Sequence, residues 1–207
     1  MFGIIGQKLG MTQVFLENGN AVPVSIIKIE NNVIVNKKNV DRDGYNAIVL
    51  GMGKPNIKKI KPVFQKQFAN VEPKKNIKEF RVDNVDGFEV GQELGIDVLD
   101  DIKFVDVTGI SKGKGTQGVV KKYGFGGGRA THGSKFHRQN GSTGQNSYPS
   151  RCFKGVKRAG RMGFEKVTVQ KLKVIKIDKE NNVVFINGAI PGVNNSIVYL
   201  KKSCKTK

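Results

Sequence analysis

The chain has 207 residues, a net charge of +19, a pI near 10.0 and only 38% hydrophobic residues. That length suits one domain, or one domain with an insertion, and the two cysteines, Cys152 and Cys204, sit far apart and outside any CxxC pair, which argues against a disulfide framework and for a reducing cytoplasm. No apolar run approaches the roughly 20 residues of a membrane span, and the N-terminus lacks the apolar length of a signal peptide, so a soluble intracellular protein is expected.

The first hundred residues read mainly as strands. Met11 to Leu16 is a short apolar run, and Asn18-Gly19 after it is a favoured type I′ hairpin dipeptide. Ala21 to Ile29, Asn32 to Asn36 and Tyr45 to Leu50 follow as strands, the last preceded by a turn over Asp41 to Gly44. Lys59 to Val71 differs: Pro62 suits a first helical turn, and Val63, Phe64 and Phe68 recur at near-helical spacing, which predicts a short helix. Ile77 to Val82 and Phe88 to Leu99 return to strand patterning, the latter interrupted by a turn or bulge at Val90-Gly91-Gln92. Phe104 to Thr108 is a further strand.

Toward the C-terminus, Val167 to Ile177 alternates well, Asp178 to Asn182 is a turn and Val183 to Ile186 a strand. Gly188 to Gly192 is a turn containing Pro191, Ser196 to Leu200 a last strand, and Lys201 to Lys207 a basic, frayed tail. Short strands at close spacing suggest a barrel or sandwich, so the fold class is mainly β.

Between these flanks, Val107 to Phe164 runs 58 residues without one Asp or Glu. It holds 12 Lys or Arg and 14 of the chain's 26 glycines. Such a segment repels itself and has too few aliphatic side chains to offset its ordering entropy. It makes sense as a segment ordered against a polyanion, and nucleic acid best fits so long a footprint. A membrane surface is the weaker partner, because the glycine spacing forbids the long amphipathic helix that membrane binding uses.

The motifs inside this segment point the same way. Gly113 to Gly118 matches G-x-G-x-x-G, but glycines 124 and 126 to 128 interrupt any following helix, and the next acid is Glu165. A dinucleotide site needs both the helix and an acid about 20 residues on. Gly109 to Thr116 lacks the Gly-Lys-Ser/Thr order of a phosphate-binding loop. His132 and His137 have zinc-finger spacing without the partner cysteines, so RNA contact is the ordinary reading. No carboxylate in the segment supplies a general base or metal ligand, and no cofactor is indicated. Tyr123, Phe125, Phe136, Tyr148, Phe153 and Phe164 punctuate the cations, a pattern suited to stacking on bases and in part to local packing.

Taken in order, Gly6 to Thr12 (GQKLGMT), Asp106 to Gly118 (DVTGISKGKGTQG), Thr131 to Gly133, Gly141 to Gln145 (GSTGQ), Phe153 to Gly155 and Ala159 to Gly163 (AGRMG) resemble the bacterial L3 (uL3) family of large-subunit ribosomal proteins over essentially the whole chain. Lys122 departs from the family's signature, which usually ends in Arg; charge is kept and the two-pronged donor is lost. The resemblance implies a closed six-stranded translation-protein-type β-barrel, with a small α+β insertion and a long basic loop threading large-subunit rRNA toward the peptidyl-transferase region.

On that footing residues 1–106 and 165–207 form the body, residues about 55–85 the insertion and 107–164 the loop. The family implies a structural, early-assembly role rather than an enzyme, binding 23S rRNA near its 3′ end beside proteins such as uL14 and bL19. Lys112, Lys114, Lys121, Lys122, Arg129, His132, Lys135, His137, Arg138, Arg151, Lys154, Lys157, Arg158 and Arg161 are the expected RNA contacts. Gln145 matches the glutamine that some bacteria methylate. The rival readings are a nucleotide enzyme built on Gly113 to Gly118, and a non-specific nucleic-acid chaperone.

Overall fold

The structure, a computed structural model, describes residues 3–56, 60, 63, 68 and 71–205. The helix expected over Lys59 to Val71 lies almost wholly outside the described residues. The chain divides into two compact units, Met1–Ile110 with Lys166–Lys207, and Ser111–Glu165.

Its strands, in chain order, are β1 (Gly3–Phe15), β2 (Ala21–Lys28), β3 (Asn32–Lys38), β4 (Ala47–Met52), β5 (Asn76–Arg81), β6 (Glu93–Leu94), β7 (Phe104–Ile110), β8 (Thr116–Gln117), β9 (Gly160–Arg161), β10 (Lys166–Asp178), β11 (Val183–Asn187) and β12 (Ile197–Lys202). The mainly β expectation holds. Among the described residues no helix is long and apolar enough to cross a membrane.

In the first unit, six antiparallel strands follow the order β1-β12-β7-β10-β11-β2. β1 pairs with β12 through Gly3 to Gln7 and with β2 through Gln7 to Phe15, so the outermost strands of this order are neighbours. Both ends of the chain therefore build one sheet. A second sheet has the order β5-β4-β3-β6.

The alternation of β1 and β12 explains how the two sheets share one body. Ile4, Val198 and Leu200 join the cluster of Ile27, Val105, Val107, Val184 and Ile186. Their neighbours Ile5, Ile197 and Tyr199 pack with Ile34, Ile48, Leu50, Met52 and Phe80. Successive side chains of a strand point to opposite faces, so a strand apolar at consecutive positions is one buried on both sides. Gly3 is required here, because a Cβ would sit 2.3 Å from the Phe80 ring.

β1 bulges between Lys8 and Gly10. The Lys8 side chain is buried, and its Nζ donates to the carbonyl oxygens of Ile190 (3.0 Å) and Gly192 (3.1 Å). A buried ammonium needs such acceptors to offset its lost hydration.

Several sequence expectations require correction. Strand β1 begins at Gly3, eight residues before the apolar run at Met11, because its glycines (3, 6 and 10) dilute the alternation. Residues 32–38 and 47–52 belong to the second sheet with β5 and β6, so that sheet draws on far more chain than an insertion at 55–85. Alternation marks a strand but not its partner.

Asn18-Gly19 does not form a type I′ turn. Only Gly19 has positive φ (78°), and its N–H donates to the Leu16 carbonyl. Asp41 to Gly44 is a helical turn, Val40–Asp43, capped by Gly44 at φ 80°. Phe88 to Leu99 keeps only the two residues of β6 as strand, followed by a 3-10 turn at Ile96–Leu99. Gly91 at φ 93° breaks the run, and its N–H donates to Ile34. β7 continues past Thr108 to Ile110. In the tail, Lys201 and Lys202 extend β12, and Ser203 is buried with its N–H donating to Phe104.

Candidate RNA interface

The second unit, Ser111–Glu165, is held at its base by backbone bonds between its own ends. Ser111 N–H donates to Glu165 (2.9 Å), Lys114 N–H to Met162 (2.9 Å) and Met162 N–H to Gly115 (2.9 Å). β8 and β9 then pair Thr116 with Arg161 and Gln117 with Gly160. Gly163, at φ 75°, lets these ends touch: a Cβ there would lie 2.2 Å from the Lys112 carbonyl oxygen.

One helical turn follows, Val119–Tyr123, ended by Gly124 at φ 74°. Lys121 and Lys122 occupy its last turn, where cations complement the unsatisfied carbonyls. Val119 is the buried apolar anchor of this stretch. Beyond it the chain runs as turns without regular structure, as its composition requires. Gly128 N–H donates to the His137 carbonyl (2.9 Å), and a Cβ on Gly128 would lie 1.8 Å from the Phe136 carbonyl oxygen. Two segments distant by about nine residues are thereby closed on each other.

The structure places the fourteen expected contact residues as follows. All are exposed except Lys122, which is half-buried. Lys112, Lys114 and Lys122 line one cleft of about 620 Å³ together with Ser111, Tyr123, Met162, Gly163 and Glu165. Lys122 and Lys157 both lie over the Tyr123 ring, at 5.2 and 5.8 Å from its centroid. Arg151 lies 5.7 Å from the Phe153 centroid. Arg158 donates through Nη2 to the Thr143 carbonyl (2.7 Å) and to Cys152 Sγ (2.9 Å). His137 Nδ1 lies 3.0 Å from the Arg129 carbonyl oxygen, as its donor. Arg161 stands in β9. Lys121, His132, Lys135, Arg138 and Lys154 are exposed, with His132 at positive φ (57°).

Ion pairs among the described residues, such as Lys38–Glu79 and Lys179–Asp97, lie outside this unit. Its aromatic rings are all exposed, but unequally, from Tyr123 at 38% to Tyr148 at 91%. Cations beside unpacked rings suit phosphates and stacked bases together. Gln145 lies in a separate open cleft of residues 142–152, beside Cys152 and Arg151.

Sequence reasoning missed the cleft's other wall. Met162, Gly163 and Glu165 become neighbours of Lys112 and Lys114 only because the segment's ends pair. The available signal was Glu165 itself, the acid that closes the 58-residue gap.

The family model described as Ribosomal protein L3 matches residues 45–182. The chain is 50% identical to the large ribosomal subunit protein uL3 of Borrelia hermsii over 208 residues, 99% of each chain. It is 47% identical to that of Borreliella burgdorferi, covering 99% of this chain and 100% of the other, and 46% identical to that of Treponema denticola, covering 99% of each.

Proposed function

The chain belongs to the ribosomal protein L3 family, a family of structural proteins rather than enzymes, and from that membership we propose that it is a constituent of the large ribosomal subunit in the cytoplasm that binds 23S rRNA. The single observation that carries the reading is the second unit: up to its last residue, Glu165, it has no acid, and it holds a dozen cations, nearly all exposed, interleaved with exposed aromatic rings.

In this reading the six-stranded sheet is the family's translation-protein-type closed barrel and acts as a rigid anchor. The loop of residues 107–164 enters a cleft between RNA helices and reaches toward the peptidyl-transferase region. Lys112, Lys114, Lys121, Lys122, Arg129, Lys135, Arg138, Arg151, Lys154, Lys157, Arg158 and Arg161 neutralise phosphates that the folded RNA crowds together. His132 and His137 contribute ring contacts. RNA shape counts for more than base sequence, because A-form grooves hide most base edges. Binding near the 3′ end of the rRNA early in assembly, proximity to uL14 and bL19, and methylation of Gln145 are parts of the same proposal, resting on family resemblance.

The test is sedimentation of the tagged protein from a native-salt lysate, with and without RNase. Co-migration with the large subunit that survives a moderate salt wash and is lost with RNase supports the proposal. A protein that stays at the top of the gradient near 22.7 kDa overturns it. Equal affinity for any single-stranded DNA or RNA would instead favour a non-specific chaperone.

A further inference from the structure

The cleft at the base of the second unit has a chemistry that phosphate binding alone does not use. One wall is the stretch after β7, with Ser111, Lys112 and Lys114, the other Met162, Gly163 and Glu165, and Lys122 with Tyr123 complete it. Its volume of about 620 Å³ falls within the roughly 300–1,000 Å³ typical of small-molecule sites. The glycine-rich Gly113 to Gly118 motif, unfit for a dinucleotide, supplies part of this lining.

Glu165 is the odd member. It is exposed, and among the described ion pairs it has none, although three lysines line the same cleft. Its backbone is fixed: the carbonyl accepts from Ser111 N–H, and its N–H donates to Ser111 Oγ at 3.2 Å. A carboxylate accepts hydrogen bonds and repels phosphate. Beside cations that would hold a sugar-phosphate backbone, it therefore selects a group rich in N–H donors. Among the bases, guanine offers N1–H and the N2 amino group side by side, the arrangement that a carboxylate accepts with both oxygens. Tyr123 supplies a ring face at which a base can stack, with Lys122 and Lys157 already beside it.

The geometry points to this cleft as the seat of a single unstacked guanine nucleotide of the bound RNA, with Glu165 as its specificity-determining residue, Lys112 and Lys114 at its phosphates and Tyr123 at its base. This rests on the RNA-binding reading above and adds a base-selective contact to it.

The experiment is kethoxal footprinting, which reports guanines with free N1 and N2 positions, on a large-subunit rRNA transcript bound to the full-length protein. One unpaired guanine is expected to be protected by the unsubstituted chain and to become reactive with Glu165→Ala, while Glu165→Gln protects it only partly. Replacing that guanine by inosine, which lacks the N2 amino group, is expected to raise Kd roughly tenfold for the unsubstituted chain and to leave Glu165→Ala unaffected. The inosine arm needs no protein variant, so a misfolded variant does not obscure the result.

No guanine whose protection depends on Glu165, or an inosine substitution without effect, overturns the inference. Equal occupation of the cleft by free GMP at millimolar concentration also overturns it, in favour of a mononucleotide site. Steeply salt-dependent rRNA binding that persists in these cases leaves the RNA-binding reading standing, whereas loss of that binding for the unsubstituted chain removes both.

Discussion

The side-chain amide of Asn32 substitutes for a strand neighbour of Ile5. Its Oδ1 accepts from Ile5 N–H at 3.1 Å and its Nδ2 donates to the Ile5 carbonyl at 3.0 Å, with a second donation to Glu30 at 2.8 Å. Asn32 is fully buried at the start of β3, and Ile5 lies in β1, so this pair joins the second sheet to the first. Every polar atom of the amide is used, which is what makes its burial tolerable.

Replacing Asn32 by Leu keeps the volume and strands the Ile5 N–H and carbonyl. The expected cost is about 2–3 kcal/mol, from two buried groups left without partners. It appears as a lower urea midpoint with an unchanged slope. A midpoint equal to that of the unsubstituted chain would show that water takes over both bonds.

The salt dependence of RNA binding tests the electrostatic reading. If roughly eight phosphates are neutralised, log affinity falls against log salt with a slope of about −6 to −7. Filter binding or fluorescence anisotropy between 50 and 300 mM salt measures it. A slope near zero would sink the role given to the loop's cations.

Gly128→Ala forces a Cβ into the Phe136 carbonyl, so the closure of residues 127–129 on 136–138 must open. The sheets do not depend on that closure. Thermal unfolding of the body should stay within about 0.5 kcal/mol, the range of changes remote from the core. Affinity for rRNA should fall roughly tenfold as Arg129, Lys135 and Arg138 lose their fixed spacing, a change worth about 1.4 kcal/mol. Unchanged affinity would mean that the RNA, not the free chain, sets this geometry.

The pH response of the second sheet follows from Lys38, whose ammonium donates to Tyr45 Oη (2.7 Å) and pairs with Glu79 (2.9 Å). The hydrogen bond from Lys38 holds the Glu79 carboxyl below its usual 4.5, and bonds from Tyr45 and Glu79 raise the Lys38 ammonium above its usual 10.5. The Glu79 contribution is therefore complete above the unfolded value and is lost as pH falls through the lower folded value. The Lys38 contribution is complete below 10.5 and is lost as pH rises through its folded value. Both side chains keep about a third of their surface in water (28% and 34%), so solvent screening holds the Glu79 part to about 0.5 kcal/mol. Glu79→Gln should lower the denaturation midpoint slightly at pH 6 and not at pH 3. A difference that is the same at both values contradicts the assignment.

What could be read from the sequence divides along physical lines. β10, β11 and the Asp178 to Asn182 turn were legible because alternation and turn chemistry coincide there; Asp178 Oδ1 accepts from the N–H groups of Glu180 and Asn181. The cationic segment was legible because missing acids are visible without any structure. Strand partners were not, since consecutive apolar residues such as Ile4 and Ile5 mark double-sided burial without naming either neighbour. Phe88 to Leu99 misled because its apolar residues face the cores from turns: Leu94, Ile96 and Leu99 are buried outside any long strand. The cleft was invisible because Lys112 and Glu165 are 53 positions apart. Asn32 carries no local signal that separates a joint from a turn residue.

The bonded base of the second unit has a consequence for how such a chain can vary. Lys114 N–H donates to the Met162 carbonyl and Met162 N–H to the Gly115 carbonyl, so everything between Gln117 and Gly160 begins and ends at one fixed doorway. Lengthening a flexible segment closed at such a point costs only about 0.6 kcal/mol per doubling. The tip can therefore be trimmed, extended or exchanged as a cassette, its reach into a partner tuned independently of the scaffold that carries it.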